Sequence, residues 1–199
     1  MGSVKTRNSR FVMEKKRLRT IWWGVIAVYL LCIYATLGIA PRVWDSLDAF
    51  MGGKAMILVY IPAALSFIAL VAFMVFVKKE KLPDRYFMLL IFVAIFFELN
   101  LLAVRPVEKV HLLEYGGLSF LLYNALKVDF DRFDVKLYLL GGVVCVAAGF
   151  LDEVIQLFLP GRFFDWRDVL FNGASGITAF LVIRFNILKE PPKSFTTRR

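Results

Sequence analysis

Two groups of ionisable and amide residues interrupt otherwise apolar sequence, and their spacing is helical. His111 and Glu114 stand three residues apart, so a helix places them on one face, with Tyr115 one turn on from His111. A neutral imidazole can take a proton near neutral pH, and a carboxylate on the same face can hold the ring. Asp152 and Gln156 stand four apart and share a face. Glu153, about 100° round the helix from Asp152 yet three from Gln156, widens that polar sector. A Pro160-Gly161 break follows, then Arg162, whose planar fork suits a phosphate or a carboxylate. Asp168 and Asn172 again share a face at a spacing of four. The candidate acid–base residues are therefore His111, Glu114, Asp152 and Glu153. The candidate ligand-binding residues are Arg105, Lys109, Tyr115, Gln156, Arg162, Asp168 and Asn172.

Each has a plainer alternative. A lone histidine is more often a structural hydrogen-bonder than a catalyst, and His111 could simply hold Glu114. Asp152 and Glu153 could be a hydrated pair at a helix end, or partners for Arg162. Asp165 is expected to cap the helix that Asp168 enters, near its positive end. His111, Glu114, Asp152 and Glu153 could also ligate a metal, but no HExxH or CxxC spacing accompanies them. No metal or cofactor is expected. A glycine-rich phosphate loop, a serine nucleophile motif and a dinucleotide fingerprint are all missing from the sequence. Cys32 and Cys145 fall in apolar segments and read as packing residues.

The elements that must position these groups are membrane helices. The chain has 199 residues, 59% of them hydrophobic, and the apolar residues come in runs. A span needs roughly 20 apolar residues. Six segments qualify, at 21–40, 55–77, 86–104, 110–126, 137–159 and 169–188, the fourth being the shortest and most polar. The predicted fold is all-α, a polytopic bundle of six spans. It divides into a basic N-terminal segment (1–20), an N-terminal helical pair (21–85), a core (86–188) and a tail (189–199) expected to be disordered. Pro62 is expected to kink the second span.

Charge orients the bundle. Of 25 Lys and Arg residues, 19 fall in the N-terminal segment, the second and fourth connections and the C-terminal end. By the positive-inside rule both termini are cytoplasmic. The formal charge of +9 thus reads as a topology signal, and no nucleic-acid partner is expected. With this orientation the candidate residues all fall toward the outer face, where they could converge on one pocket.

Around these residues the chain resembles the VanZ-like family of bacterial membrane proteins. One block is Glu108-Lys109-Val110-His111-Leu112-Leu113-Glu114-Tyr115, with Glu108 where the family usually has Asp and one residue fewer between Lys109 and His111. The second is Asp152-Glu153, Gln156, Pro160-Gly161-Arg162, Asp168, Asn172 and Gly176, in the family's order. The resemblance covers roughly residues 98–184. It implies a multi-pass protein of the bacterial plasma membrane, in a family named for an accessory factor in teicoplanin resistance. It carries no biochemical activity with it.

Three functions are open on these grounds. The first is an outer-leaflet pocket for an anionic amphiphile: a membrane lipid, a lipid-linked envelope precursor or the lipoglycopeptide antibiotic. Arg162, Arg105 and Lys109 would meet the anionic group. The second is a hydrolase or transferase acting on such a lipid, with His111 as general base. The third is a proton-coupled lipid transporter, which needs a site near the midplane reachable from both sides.

Overall fold

In the computed structural model, which describes residues 2–103 and 105–188, every regular element is a helix. The order is α1 (Gly2–Thr36), α2 (Ala40–Phe50), α3 (Ile57–Ala72), α4 (Pro83–Leu102), α5 (Pro106–Leu126), α6 (Val135–Gln156) and α7 (Trp166–Val182). α3 and α7 each run on into a wider π-helical turn, at Phe73–Val77 and Ile183–Ile187. α3 stays helical across Pro62. The predicted tail 189–199 lies outside the described residues.

Among the described residues five helices are long and apolar enough to cross a membrane: Val12–Thr36, Ile57–Val77, Pro83–Leu102, Val135–Gln156 and Trp166–Ile187. The fourth predicted segment, 110–126, falls within α5, which is long enough at 21 residues but lacks that apolar character. The reason lies in its surroundings. α5 packs against α1, α6 and α7, and its Leu112, Tyr115, Leu118, Ser119 and Leu122 are buried. A helix encased by other helices meets protein instead of lipid, so it can carry polar groups if they find partners. Ser119 Oγ bonds to Gly176 O at 2.8 Å, and Ser175 Oγ to Leu112 O at 2.5 Å.

The first predicted segment ran to residue 40, but α1 ends at Thr36 and a separate helix begins at Ala40. Pro41, near the start of α2, has no N–H to continue the α1 ladder. Val43, Leu47 and Phe50 of α2 repeat at helical spacing, with Arg42 before them and Asp45, Ser46 and Asp48 between them. Sequence reading took this stretch for a connection. The periodicity, Pro41 at the start and the pair Gly52 and Gly53, at φ 61° and 81°, are the signals it passed over.

α6 and α7 approach closely because they meet through small residues. A Cβ on Gly149 would lie 2.9 Å from Asn172 Cβ, and one on Gly176 would lie 2.8 Å from Cys145 Sγ.

Contacts collect the basic segments at one end of the bundle. Asp129, between α5 and α6, pairs with Arg19 and with Lys15 at 3.5 Å. The Arg184 guanidinium lies 4.9 Å from the Phe133 ring centre. Lys78 Nζ donates to Asn186 O at 2.9 Å, and Arg85 donates to Phe185 O. Lys78, Arg85 and Asn186 are buried although none was singled out from sequence. Their role is legible: two cations sit on carbonyls of the π-helical turn that ends α7, where the helix dipole favours positive charge.

Candidate functional site

The opposite end holds the polar groups. Arg105 stands before α5 in extended backbone and Pro106 occupies its first turn, where a missing N–H costs nothing. One turn further in, His111 Nδ1 lies 2.8 Å from Glu114 Oε2. The i, i+3 spacing read from sequence therefore does bring these two together. The ring is buried, and it meets Tyr115 edge-on at 6.5 Å between centroids.

α6 supplies the facing wall. Asp152 is fully buried, with Oδ2 4.0 Å from His111 Nε2. Tyr34 on α1 donates to Ala148 O, one turn below Asp152, and Tyr29 donates to Glu114 O. These two tyrosines of α1 thus brace both walls. Their signal in the sequence was a hydroxyl in an otherwise apolar span.

Several buried polar atoms at this end have no hydrogen-bonding partner among the described residues. They are His111 Nε2, Tyr115 Oη, both oxygens of Asp152, Asp168 Oδ1 and Asn172 Nδ2. Buried polar groups are nearly always paired, so such a concentration is informative. If His111 gives its Nδ1 proton to Glu114, Nε2 becomes an acceptor facing a second acceptor, Asp152 Oδ2. A group between them with two protons to donate, such as a water molecule, would satisfy both.

Glu153 does a different job from its neighbour. Its Oε1 accepts from Gln156 Nε2 at 2.8 Å, and its Oε2 accepts from the Asp165 backbone N–H at 2.9 Å. Gln156 Oε1 in turn accepts from Arg162, at 2.8 Å from Nε and also from a terminal nitrogen. This chain of bonds ties the end of α6 to the start of α7. Gly161 makes the expected reversal at φ 74°, and Asp165 caps α7 by accepting from Arg167 N at 2.8 Å, also as expected.

The remaining candidates lie on the rim. The Arg105 side chain is 64% exposed and 3.9 Å from Glu108, which also meets Arg167 at 3.4 Å. Lys109 turns toward α3, with Nζ 3.4 Å from Tyr60 Oη. The structure thus joins His111, Glu114 and Asp152 in one place, with the unpaired Tyr115, Asp168 and Asn172 at the same end of the bundle. It sets Glu153, Gln156 and Arg162 in a second network, and it sends Arg105 and Lys109 outward. Among the described residues, no three His, Cys, Asp or Glu side chains gather in a metal-holding arrangement.

A cavity of about 320 Å³ opens between the end of α1, α2 and the start of α5, and His111 and Glu114 form part of its wall. The rest is chiefly apolar, with Leu37, Val43, Trp44 and Leu47. None of these four was singled out from sequence as lining a site, since α2 was not recognised as a helix.

Long apolar helices around a helix that carries buried polar groups define a multi-pass, membrane-embedded protein. The chain matches the VanZ/LLP1 family model over residues 22–189, most of its length, and belongs to that family. The match extends well beyond the two motif blocks and takes in the later part of α1 together with α2 and α3. Comparison with curated proteins found no match, and comparison with solved structures found none either.

Proposed function

We propose that this protein binds the polar end of an anionic amphiphile, drawn from the outer leaflet of a bacterial plasma membrane, in the pocket beside His111. The carrying observation is the buried His111–Asp152 pair, with four polar atoms of these two and Tyr115 unpaired, next to an apolar cavity. Leaving such groups unpaired costs free energy that a polar ligand would recover. Arg162 and the exposed Arg105 would meet the anionic group, with Arg167 near Arg105 through their shared partner Glu108. The orientation follows the positive-inside rule, and α5 completes a sixth span. A lipid, a lipid-linked envelope precursor and the lipoglycopeptide teicoplanin all have the required chemistry.

The test is to purify the protein in mild detergent and identify co-purifying lipids by mass spectrometry, comparing wild type with His111→Ala and Arg162→Ala. A specific anionic amphiphile lost from both variants supports the reading. The same bulk lipid in all three defeats it.

One observation favours a second reading, hydrolysis of the bound lipid. Glu114 holds His111 at Nδ1, which leaves Nε2 free to act. Nε2 would take a proton from water as the water oxygen bonds to the ester centre. The ester bond would then break and the imidazolium would return the proton to the departing alcohol. Turnover that His111→Ala abolishes, on a lipid that the variant still binds, would establish this reading.

A further inference from the structure

α2 roofs the cavity without burying any of its own residues. Its apolar positions divide between two tasks. Val43 and Leu47 line the cavity while remaining 51% and 37% exposed, and Phe50, 89% exposed, projects away from the protein. This is the pattern of a helix lying in a membrane interface, with apolar residues reaching acyl chains and polar ones reaching headgroups. The cavity beneath therefore sits where a hydrocarbon chain can enter from the bilayer. At about 320 Å³ it stands at the small end of ligand pockets, sized for part of a chain and not a whole lipid.

Its composition restricts the occupant further. Thr36 Oγ1 turns its proton back onto Cys32 O and Ile33 O, within its own helix. The other polar side chains on the wall, His111 and Glu114, belong to the polar site itself. The cavity is thus apolar along its length and polar where it joins the site, which matches a chain attached to a polar head.

We infer that the cavity under α2 holds the apolar chain of an amphiphile, next to the His111 site that takes its head. This inference rests on the proposed function and adds the place and the class of the ligand's second half. The ligand is one whose hydrocarbon begins directly at its polar group, as in an alkyl or prenyl phosphate.

Trp44 lines the cavity and can report on it. The full chain carrying Trp22→Phe, Trp23→Phe and Trp166→Phe leaves one emitting indole. A single-chain alkyl phosphate brominated along its chain is titrated against it in detergent. Saturable quenching is expected. Ala40→Phe or Val43→Phe should raise the half-saturating concentration by about tenfold, because excluding about two methylenes from apolar surroundings costs that much. Phe50→Ala, outside the cavity, should leave it unchanged, and inorganic phosphate at the same concentration as the alkyl phosphate should not restore the emission. Circular dichroism of each variant confirms that it is folded. Unsaturable quenching that is equal in all variants overturns the inference, and so does full recovery of emission with inorganic phosphate. If the alkyl phosphate still binds by equilibrium dialysis in an Arg162-dependent way, the proposed function survives that failure. If it does not bind at all, both fall.

Discussion

Exchanging the side chains at positions 153 and 156 tests the bond network between α6 and α7 directly. Glu153 offers two acceptors to two donors, Gln156 Nε2 and the Asp165 backbone N–H, at 2.8 and 2.9 Å. The amide of Glu153→Gln has one oxygen, so one bond is lost and a buried donor faces another donor. Both side chains are about 1% exposed, so water cannot compensate. An unsatisfied buried group costs about 1–3 kcal/mol. For a chain of this size that corresponds to a fall in Tm of roughly 2–12 °C. Gln156→Glu should also destabilise, because two carboxylates then meet where an amide had donated. The double variant reverses the network and leaves nothing unpaired. The amide at 153 accepts from Asp165 N–H and donates to the carboxylate at 156, which still receives Arg162. Thermal unfolding of the four proteins in one detergent should therefore show two unstable single variants and a double variant near wild type. That coupling is the signature of groups in contact. If the double variant is destabilised by the sum of the two, the network does not exist as described.

Two further outcomes are expected. At the basic end Lys78 Nζ donates to Glu80 Oε2 at 2.9 Å, and this bond chiefly holds the Glu80 carboxyl below its ordinary 4.5. A carboxyl depressed in the folded state stabilises fully above its unfolded value and loses that contribution as the pH falls through the folded one. Glu80→Gln should therefore be less stable than wild type at neutral pH, and the gap should close below pH 4.5; a gap that persists in strong acid refutes the pairing. The crossing of α5 is tested in a chain with Cys32→Ser and Cys145→Ser. A membrane-impermeant maleimide should label Arg105→Cys on intact cells and Asp131→Cys only after permeabilisation. Equal labelling from one side would mean that α5 does not cross.

Much of this was legible in the residues themselves. Runs of apolar residues marked the helices, and basic residues in alternate connections sorted their ends, because hydropathy and charge are local properties. Helical spacing correctly joined His111 to Glu114, and Asp165 and Gly161 declared a cap and a turn. Tertiary structure decided what periodicity cannot see. Spacing tells which residues share a face of their own helix, but not which neighbour that face meets. Adjacent residues Asp152 and Glu153 therefore looked equivalent, and packing sent one to His111 and the other to the loop before α7. α5 was the least apolar candidate, since hydropathy assumes a lipid surround and this helix is surrounded by protein. The cavity under α2 needed three segments to meet: the end of α1, a helix read as a connection, and the first turns of α5. Burial of Lys78, Arg85 and Asn186 likewise arises where the α3–α4 connection and the first turn of α4 meet the end of α7, contacts separated by about a hundred positions in the chain.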